Sequence, residues 1–121
     1  MKYDLHITGS AENDINEAAD YIEYVLLNPK AADVLLDAIE ETLPTLAEKP
    51  QRFAVVSDPV LKAWGIRFVQ INNYLAFYVV DDNAERVNII RFLYMKRDWI
   101  GILRRGFTVS GSESAPLSQT D

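Results

Sequence analysis

Ile66-Arg67-Phe68-Val69-Gln70-Ile71-Asn72-Asn73-Tyr74-Leu75-Ala76-Phe77-Tyr78-Val79-Val80, followed after a polar break by Arg86-Val87-Asn88-Ile89-Ile90-Arg91-Phe92-Leu93, decides the fold. Aromatic and β-branched residues dominate both runs, as they do on pleated, half-buried surfaces. Asn72-Asn73 separates the first two apolar segments, and asparagine tolerates the positive φ that a two-residue hairpin turn requires. Asp81-Asp82-Asn83-Ala84 separates the second two. The pattern predicts three strands, about 63–71, 74–80 and 86–93, in an antiparallel meander. The segment Tyr74–Val80 is apolar at every position, so it is expected to be central and covered on both faces, partly on one of them.

Working toward the N-terminus, the connection 49–61 contains Pro50 and Pro59, with a short apolar piece at Phe53–Val56 whose state the pattern leaves open. Before it, two helical stripes are legible. Ile15, Ala18, Ala19, Ile22, Val25 and Leu26 recur at helical spacing, as do Ala32, Leu35, Leu36, Ile39, Leu43 and Leu46. They predict helices over about 11–26, with Ser10 as N-cap, and over 29–48. Asn28 caps the second helix and Pro29 opens it. Pro44 cannot donate a hydrogen bond to residue 40, which predicts a kink there. A two-residue link makes the pair an antiparallel hairpin. At the start, Lys2–Thr8 alternates apolar and polar residues, which predicts a half-buried strand with His6 on its polar face as a solvated or satisfied side chain.

Toward the C-terminus, Asp98–Leu103 reads as a last short helix. Residues 106–121 are rich in Ser, Thr, Gly and Pro and are expected to form a disordered tail on a domain of residues 1–105. The fold class is therefore α+β: an N-terminal strand, then a helical hairpin packed on a mostly antiparallel sheet, completed by the C-terminal meander. With 121 residues, 49% of them hydrophobic, the chain can build one core without staples. It has no cysteine, which fits a reducing cytoplasm. No apolar run reaches membrane-spanning length and no signal-peptide pattern opens the chain, so a cytoplasmic protein without membrane contact is expected.

Charge is polarised along the sequence. Residues 1–61 carry four Lys/Arg and twelve Asp/Glu, whereas residues 62–105 carry eight and four. A total of −6 opposes simple nucleic-acid affinity, but a local basic field can still meet an anion. No phosphate loop, zinc spacing or Gly-x-Ser-x-Gly is present, and one histidine cannot build a metal cluster. No metal or cofactor is expected. The acids on the first helix read as a solvated face. Candidates for chemistry are therefore the cations of the second half. Arg67 and Arg91 lie mid-strand, where each could pair with an acid of the helical layer or meet a ligand. Arg97 lies at a strand end between Tyr94 and Trp99, beside Lys96. A guanidinium fork suits phosphate, and aromatic rings stack on bases. Trp64 and Trp99 bracket the meander and read first as core packing.

The order of elements resembles the RelE/ParE superfamily of toxins from type II toxin–antitoxin pairs, over about residues 2–103. Three local patterns carry the resemblance. One is the hairpin broken at Asn28-Pro29 and ending near Glu48-Lys49-Pro50. Another is Ile66-Arg67-Phe68 through Asn73–Val80. The last is Val87–Leu93 leading into Tyr94-Met95-Lys96-Arg97-Asp98-Trp99. The resemblance implies a growth-inhibiting protein held in check by a cognate antitoxin whose C-terminal segment folds on binding. One branch cuts mRNA in the ribosomal A site without a metal. Another poisons DNA gyrase and performs no chemistry.

For the nuclease branch the resemblance implies catalytic roles for Arg97, Arg67 and Tyr94, and substrate contacts from Lys96, Arg91 and Trp99. The family's pattern is met only in part: Leu75 follows Tyr74 where an arginine is expected, Ile66-Arg67-Phe68 stands where lysines are expected, and Leu103 lies near an expected tyrosine. The reading taken from the resemblance is a ribosome-dependent mRNA endonuclease. A gyrase inhibitor is the first alternative and a non-toxic binding module of the same fold the second.

Overall fold

The computed structural model describes residues 2–106. The chain runs β1 (Asp4–Ile7), α1 (Gly9–Asp20), a π-helical turn (Tyr21–Val25), α2 (Pro29–Thr42) and a 3-10 turn (Leu43–Ala47). A second 3-10 turn (Pro50–Arg52) and α3 (Pro59–Ala63) follow, then β2 (Arg67–Ile71), β3 (Tyr74–Asp81), β4 (Arg86–Tyr94) and α4 (Trp99–Arg104). The four strands form one sheet in the order β1-β4-β3-β2. The meander β2–β3–β4 is antiparallel, and β1 joins β4 in parallel. Both β3 and β4 are inner strands, so the central position expected for Tyr74–Val80 is shared with the last strand. The expected tail falls outside the described residues.

Local chemistry explains the boundaries. Asn28 accepts the Ala31 N–H at 3.1 Å and Pro29 starts α2, as its sequence predicts. At Pro44 the α-helix tightens into a 3-10 turn, which is how the predicted kink is realised. Ser10 is not the first cap. Thr8 leaves the strand early, its hydroxyl donates to the Ile89 carbonyl at 2.9 Å and accepts the Ala11 N–H at 3.2 Å, and so it both ends β1 and caps α1. The strand expected from residue 63 begins at Arg67. Asp58 caps α3 through the Leu61 N–H, carrying helix up to Ala63, and Gly65 reverses the chain at φ +74 before extension can begin. The undecided piece at 53–56 lies along the outer edge of β2 as an isolated antiparallel bridge, Val55 to Arg67. Asn72 takes the left-handed conformation at φ 54 in the β2–β3 turn.

Two cores sandwich the sheet. On one face Leu35, Ile39, Leu43 and Leu46 of the hairpin meet Val69, Ile71, Tyr78, Val87 and Ile89. On the other, Leu61 of α3 and Leu103 of α4 close over Leu75, Phe77, Ile90 and Leu93, with Trp64 and Trp99 packed at the margin as their core reading predicts. A bulge in β4 changes which residues face where. Ile89 opposes Tyr78 and Arg91 opposes Phe77, so Ile90 is the extra residue. Simple alternation groups Val87, Ile89 and Arg91, and Arg91 does reach Asp14 of α1 on the hairpin side; past the bulge Phe92 joins Val87 and Ile89 there as well. His6 is half-buried, and its ring tip is neither solvated nor satisfied among the described residues. It pairs in register with the buried Asn88, and His6 Nε2 and Asn88 Oδ1 are both buried without a hydrogen-bond partner.

Candidate functional site

Just past the bulge, Arg91 reaches α1. Asp14 lies on the buried stripe of α1, three residues after Ala11 and four before Ala18. Its carboxylate takes Arg91 in a two-point pair, Nε to Oδ2 at 2.7 Å and Nη2 to Oδ1 at 2.9 Å. Oδ2 also accepts the Phe92 N–H at 3.0 Å, satisfying backbone that β1 is too short to reach. The Asp14 hydrogen bond holds the Arg91 guanidinium above its usual pKa, against the opposing effect of burial. Of the two roles open to Arg91, the observed partner is an acid of the helical layer.

Arg67 points to the opposite end of the hairpin side. Its guanidinium donates to the carbonyls of Phe53 at 2.6 Å and Gln51 at 3.1 Å, knitting the connection 50–56 to the sheet. No acid of the helical layer pairs with it among the described residues. Nearby, Tyr78 is fully buried and donates to the Pro50 carbonyl at 2.7 Å; burial pushes its hydroxyl up to about 12. Trp99 tilts against Phe77 with ring centroids 5.2 Å apart, inside the second core. Arg91, Arg67 and Trp99 therefore stand apart from one another.

Arg97 and Tyr94 do come together. They sit on one wall of a groove of about 770 Å³ between the helical hairpin and the far end of β3–β4. Glu17, Ala18, Tyr21, Ile22 and Leu26 form the opposite wall, and Asn28, Ala31 and Asn73 close the ends. The floor is aromatic: Tyr74 stacks on Phe92 at 4.9 Å between ring centroids and meets Tyr94 edge-on at 5.6 Å. Burial raises the Tyr74 hydroxyl above its ordinary value, so it stays neutral and presents a hydrogen-bonding tip on an apolar body. Arg97 and Glu17 form no ion pair among the described residues. Lys96 is exposed beside Arg97.

The groove thus offers an apolar aromatic floor, with Arg97 on one wall and Glu17 on the other beside Asp14, whose charge Arg91 already meets. Such a cleft fits a peptide segment well. No group of three or more His, Cys, Asp or Glu side chains that could hold a metal occurs among the described residues. Sequence reading passed over Tyr21 and Tyr74 and read the first-helix acids as a solvated face; Asp14 instead is buried and paired with Arg91, while Glu17 stays exposed. A signal for Asp14 was present, since an acid at stripe spacing within an apolar face must find a buried cation.

Comparison with known proteins agrees with this architecture. The family described as the ParE toxin of the type II toxin–antitoxin system parDE matches residues 5–99. No curated protein matches the chain in sequence. Among solved structures, the chromosomal ParDE toxin–antitoxin system from P. aeruginosa is similar with a TM-score of 0.64 and 20% identity, covering 78% of this chain and 98% of that one. The RelBE2 toxin–antitoxin complex from Mycobacterium tuberculosis is similar with a TM-score of 0.54 and 19% identity, covering 78% and 99%. At these identities the two structures speak for the fold.

Proposed function

The chain belongs to the ParE toxin family of type II toxin–antitoxin systems, and from that premise we propose that it arrests growth by docking on a protein target rather than by cutting RNA. The observation that carries this reading is the division of the cations. Cleavage without a metal relies on several fixed positive groups around a phosphorane. Arg67 is committed to the carbonyls of residues 51 and 53, and Arg91 to Asp14, which leaves Arg97 as the guanidinium of the groove. An aromatic floor with a single free guanidinium suits a protein side chain or helix better than a polyanion. DNA gyrase, the target of the non-enzymatic branch that the sequence resembles, is the partner proposed, in the cytoplasm where it acts. The cognate antitoxin is proposed to occupy the same groove. No helix among the described residues is long and apolar enough to cross a membrane.

Pulse labelling after tightly controlled induction tests the reading, with thymidine and methionine incorporation followed in parallel. Thymidine incorporation is expected to fall first, with DNA breaks and an SOS response, and Arg97→Ala or Tyr94→Ala should relieve it without loss of fold. An early collapse of methionine incorporation with cleaved mRNA would restore the ribosome-dependent nuclease, with Arg97 and Tyr94 at its centre.

A further inference from the structure

The groove continues onto a surface that water alone does not suit. At the tip of the hairpin Tyr21, Tyr24, Val25, Leu26, Leu27 and Val34 are each more than half exposed, with Leu27 at 80%. This tip is not a relaxed loop. The last turn of α1 widens into π geometry, with the Leu26 N–H reaching the Tyr21 carbonyl at 3.0 Å, and Leu27 is held at φ 55. A leucine in the left-handed region is strained, and π turns and such strain concentrate at functional sites. A contiguous apolar surface of this kind marks a docking site.

Charge selects the occupant. Residues 9–42 carry nine Asp/Glu against one lysine, and Arg91 neutralises Asp14 alone. A second copy of the chain would bring the same acidic hairpin against this one, and like charges facing each other oppose that contact. The occupant must instead be cationic where it faces α1 and apolar where it faces the floor. Arg97 on the opposite wall reverses the sign there.

We propose that the groove and the hairpin tip select the antitoxin by charge: they take an amphipathic helical segment whose Lys/Arg side chains meet Glu17 and Asp20, whose apolar stripe packs on Tyr21, Leu26 and Tyr74, and whose acidic side chain or C-terminal carboxylate meets Arg97. This inference rests on the reading that the groove is the antitoxin's seat. It adds the chemistry by which a matching segment is recognised and the part of the surface, the strained tip, that extends the contact.

The test is a selection of random helical peptides on the full chain and on Glu17→Lys/Asp20→Lys, with the bound region mapped by amide hydrogen exchange. On the native chain, enriched peptides should share an apolar i, i+3/i+4 stripe and net positive charge, and should protect α1 and the hairpin tip. They should bind the double variant about tenfold more weakly, with most of the loss in association rate and in salt dependence. Selection on the double variant should lose the positive bias. Peptides without charge bias, acidic peptides, or protection confined to the α3–α4 side would overturn the proposal, as would a stable dimer of the chain that masks the tip. A growth assay separates the two readings. Cationic binders that obey the charge rule but leave growth arrest untouched would preserve the recognition inference and remove the assignment of the groove to toxin control.

Discussion

The two faces of the sheet are each covered by helices and each held by one arginine–carboxylate clamp, yet among the described residues the groove opens on the hairpin side. On the hairpin side, α1 and α2 pack over Val69, Tyr78 and Ile89 but diverge from the far end of β3–β4, leaving the groove. On the other side, α3 and α4 close over Phe77, Ile90 and Leu93, and Trp99 fills the margin. The clamps differ in the same sense. Asp14–Arg91 is nearly dry, with side chains 7% and 21% exposed; Asp58–Arg104 leaves its arginine 46% exposed. The first clamp fixes the wall of the groove and the second fastens a cover. Four measurements can break or sharpen that distinction.

The largest effect should come from Arg91→Ala. Removing the guanidinium leaves Asp14 buried among Ala11, Ala18 and β4 with only the Phe92 N–H as partner. Breaking a buried pair from one side costs about 3 kcal/mol, or a fall in Tm of roughly 10 to 20 °C. The double change Asp14→Leu/Arg91→Met should recover most of it, because the charge is then gone from both sides. A loss under about 1 kcal/mol for Arg91→Ala would show that the pair is solvated and that the groove wall does not depend on it.

Trp99→Ala comes next. Trp99 is half-buried against Phe77, and truncating it opens a cavity under α4, for which about 2–3 kcal/mol is expected on denaturant unfolding. Peptide binding at the groove should be unchanged, since Trp99 does not line it. A stable Trp99→Ala chain with weakened binding would mean that the covered face, not the groove, meets the partner.

How much of this contrast could be read in the sequence depends on the range of the interactions that cause it. The meander, the hairpin, the Asn28-Pro29 start and the change of helix at Pro44 follow from spacing and local sterics, and all four are legible. The first cap is not, because the choice between Ser10 and Thr8 is made by the Ile89 carbonyl, 81 residues away. The faces of Arg67 and Arg91 are not legible either. Strand alternation groups Arg67 with Val69 and Ile71, and Arg91 with Val87 and Ile89, but which group faces the helices is decided only when the hairpin docks on the sheet. That Arg97 and Tyr94 lie close together was legible, because their position at a strand end is local. Their opposite wall, Glu17 and Tyr21, belongs to a helix whose acids look uniformly solvated until the hairpin is docked.

Tyr78→Phe should act at the closed end of the hairpin side, away from the groove. It removes the donor to the Pro50 carbonyl and leaves that carbonyl buried, a loss of about 1–2 kcal/mol at neutral pH. It also changes the alkaline limit. A hydroxyl raised to about 12 in the fold, from an ordinary 10.0, stabilises the fold fully below pH 10 and ceases to do so as pH rises through 12. Native protein should therefore lose stability across that window, and the phenylalanine variant should lose less. Parallel decline of both proteins in an alkaline titration would place the sensitivity elsewhere.

The smallest effect belongs to Arg104→Ala, and its sign with pH is the informative part. Arg104 Nη2 lies 2.7 Å from Asp58 Oδ1, and the Arg104 hydrogen bond holds the Asp58 carboxyl below its ordinary 3.8. A depressed carboxyl stabilises the fold above the unfolded value and stops doing so as pH falls through the lower folded value. Acid below pH 3.8 should therefore loosen the contact between α3 and α4 in the native chain. In Arg104→Ala the largest cause of that depression is gone. The acid-dependent rise in amide exchange of residues 99–104 should then begin at higher pH, with only a marginal change in stability at neutral pH, because the arginine of this pair faces solvent and Asp58 keeps the Leu61 N–H as a partner. The cover would stay seated there by Leu61, Leu103 and Trp99, and apolar packing would be its main fastening. If Arg104→Ala instead frees α4 at neutral pH, the clamp is the fastening, and the second face of the sheet can open as the hairpin side does at its groove.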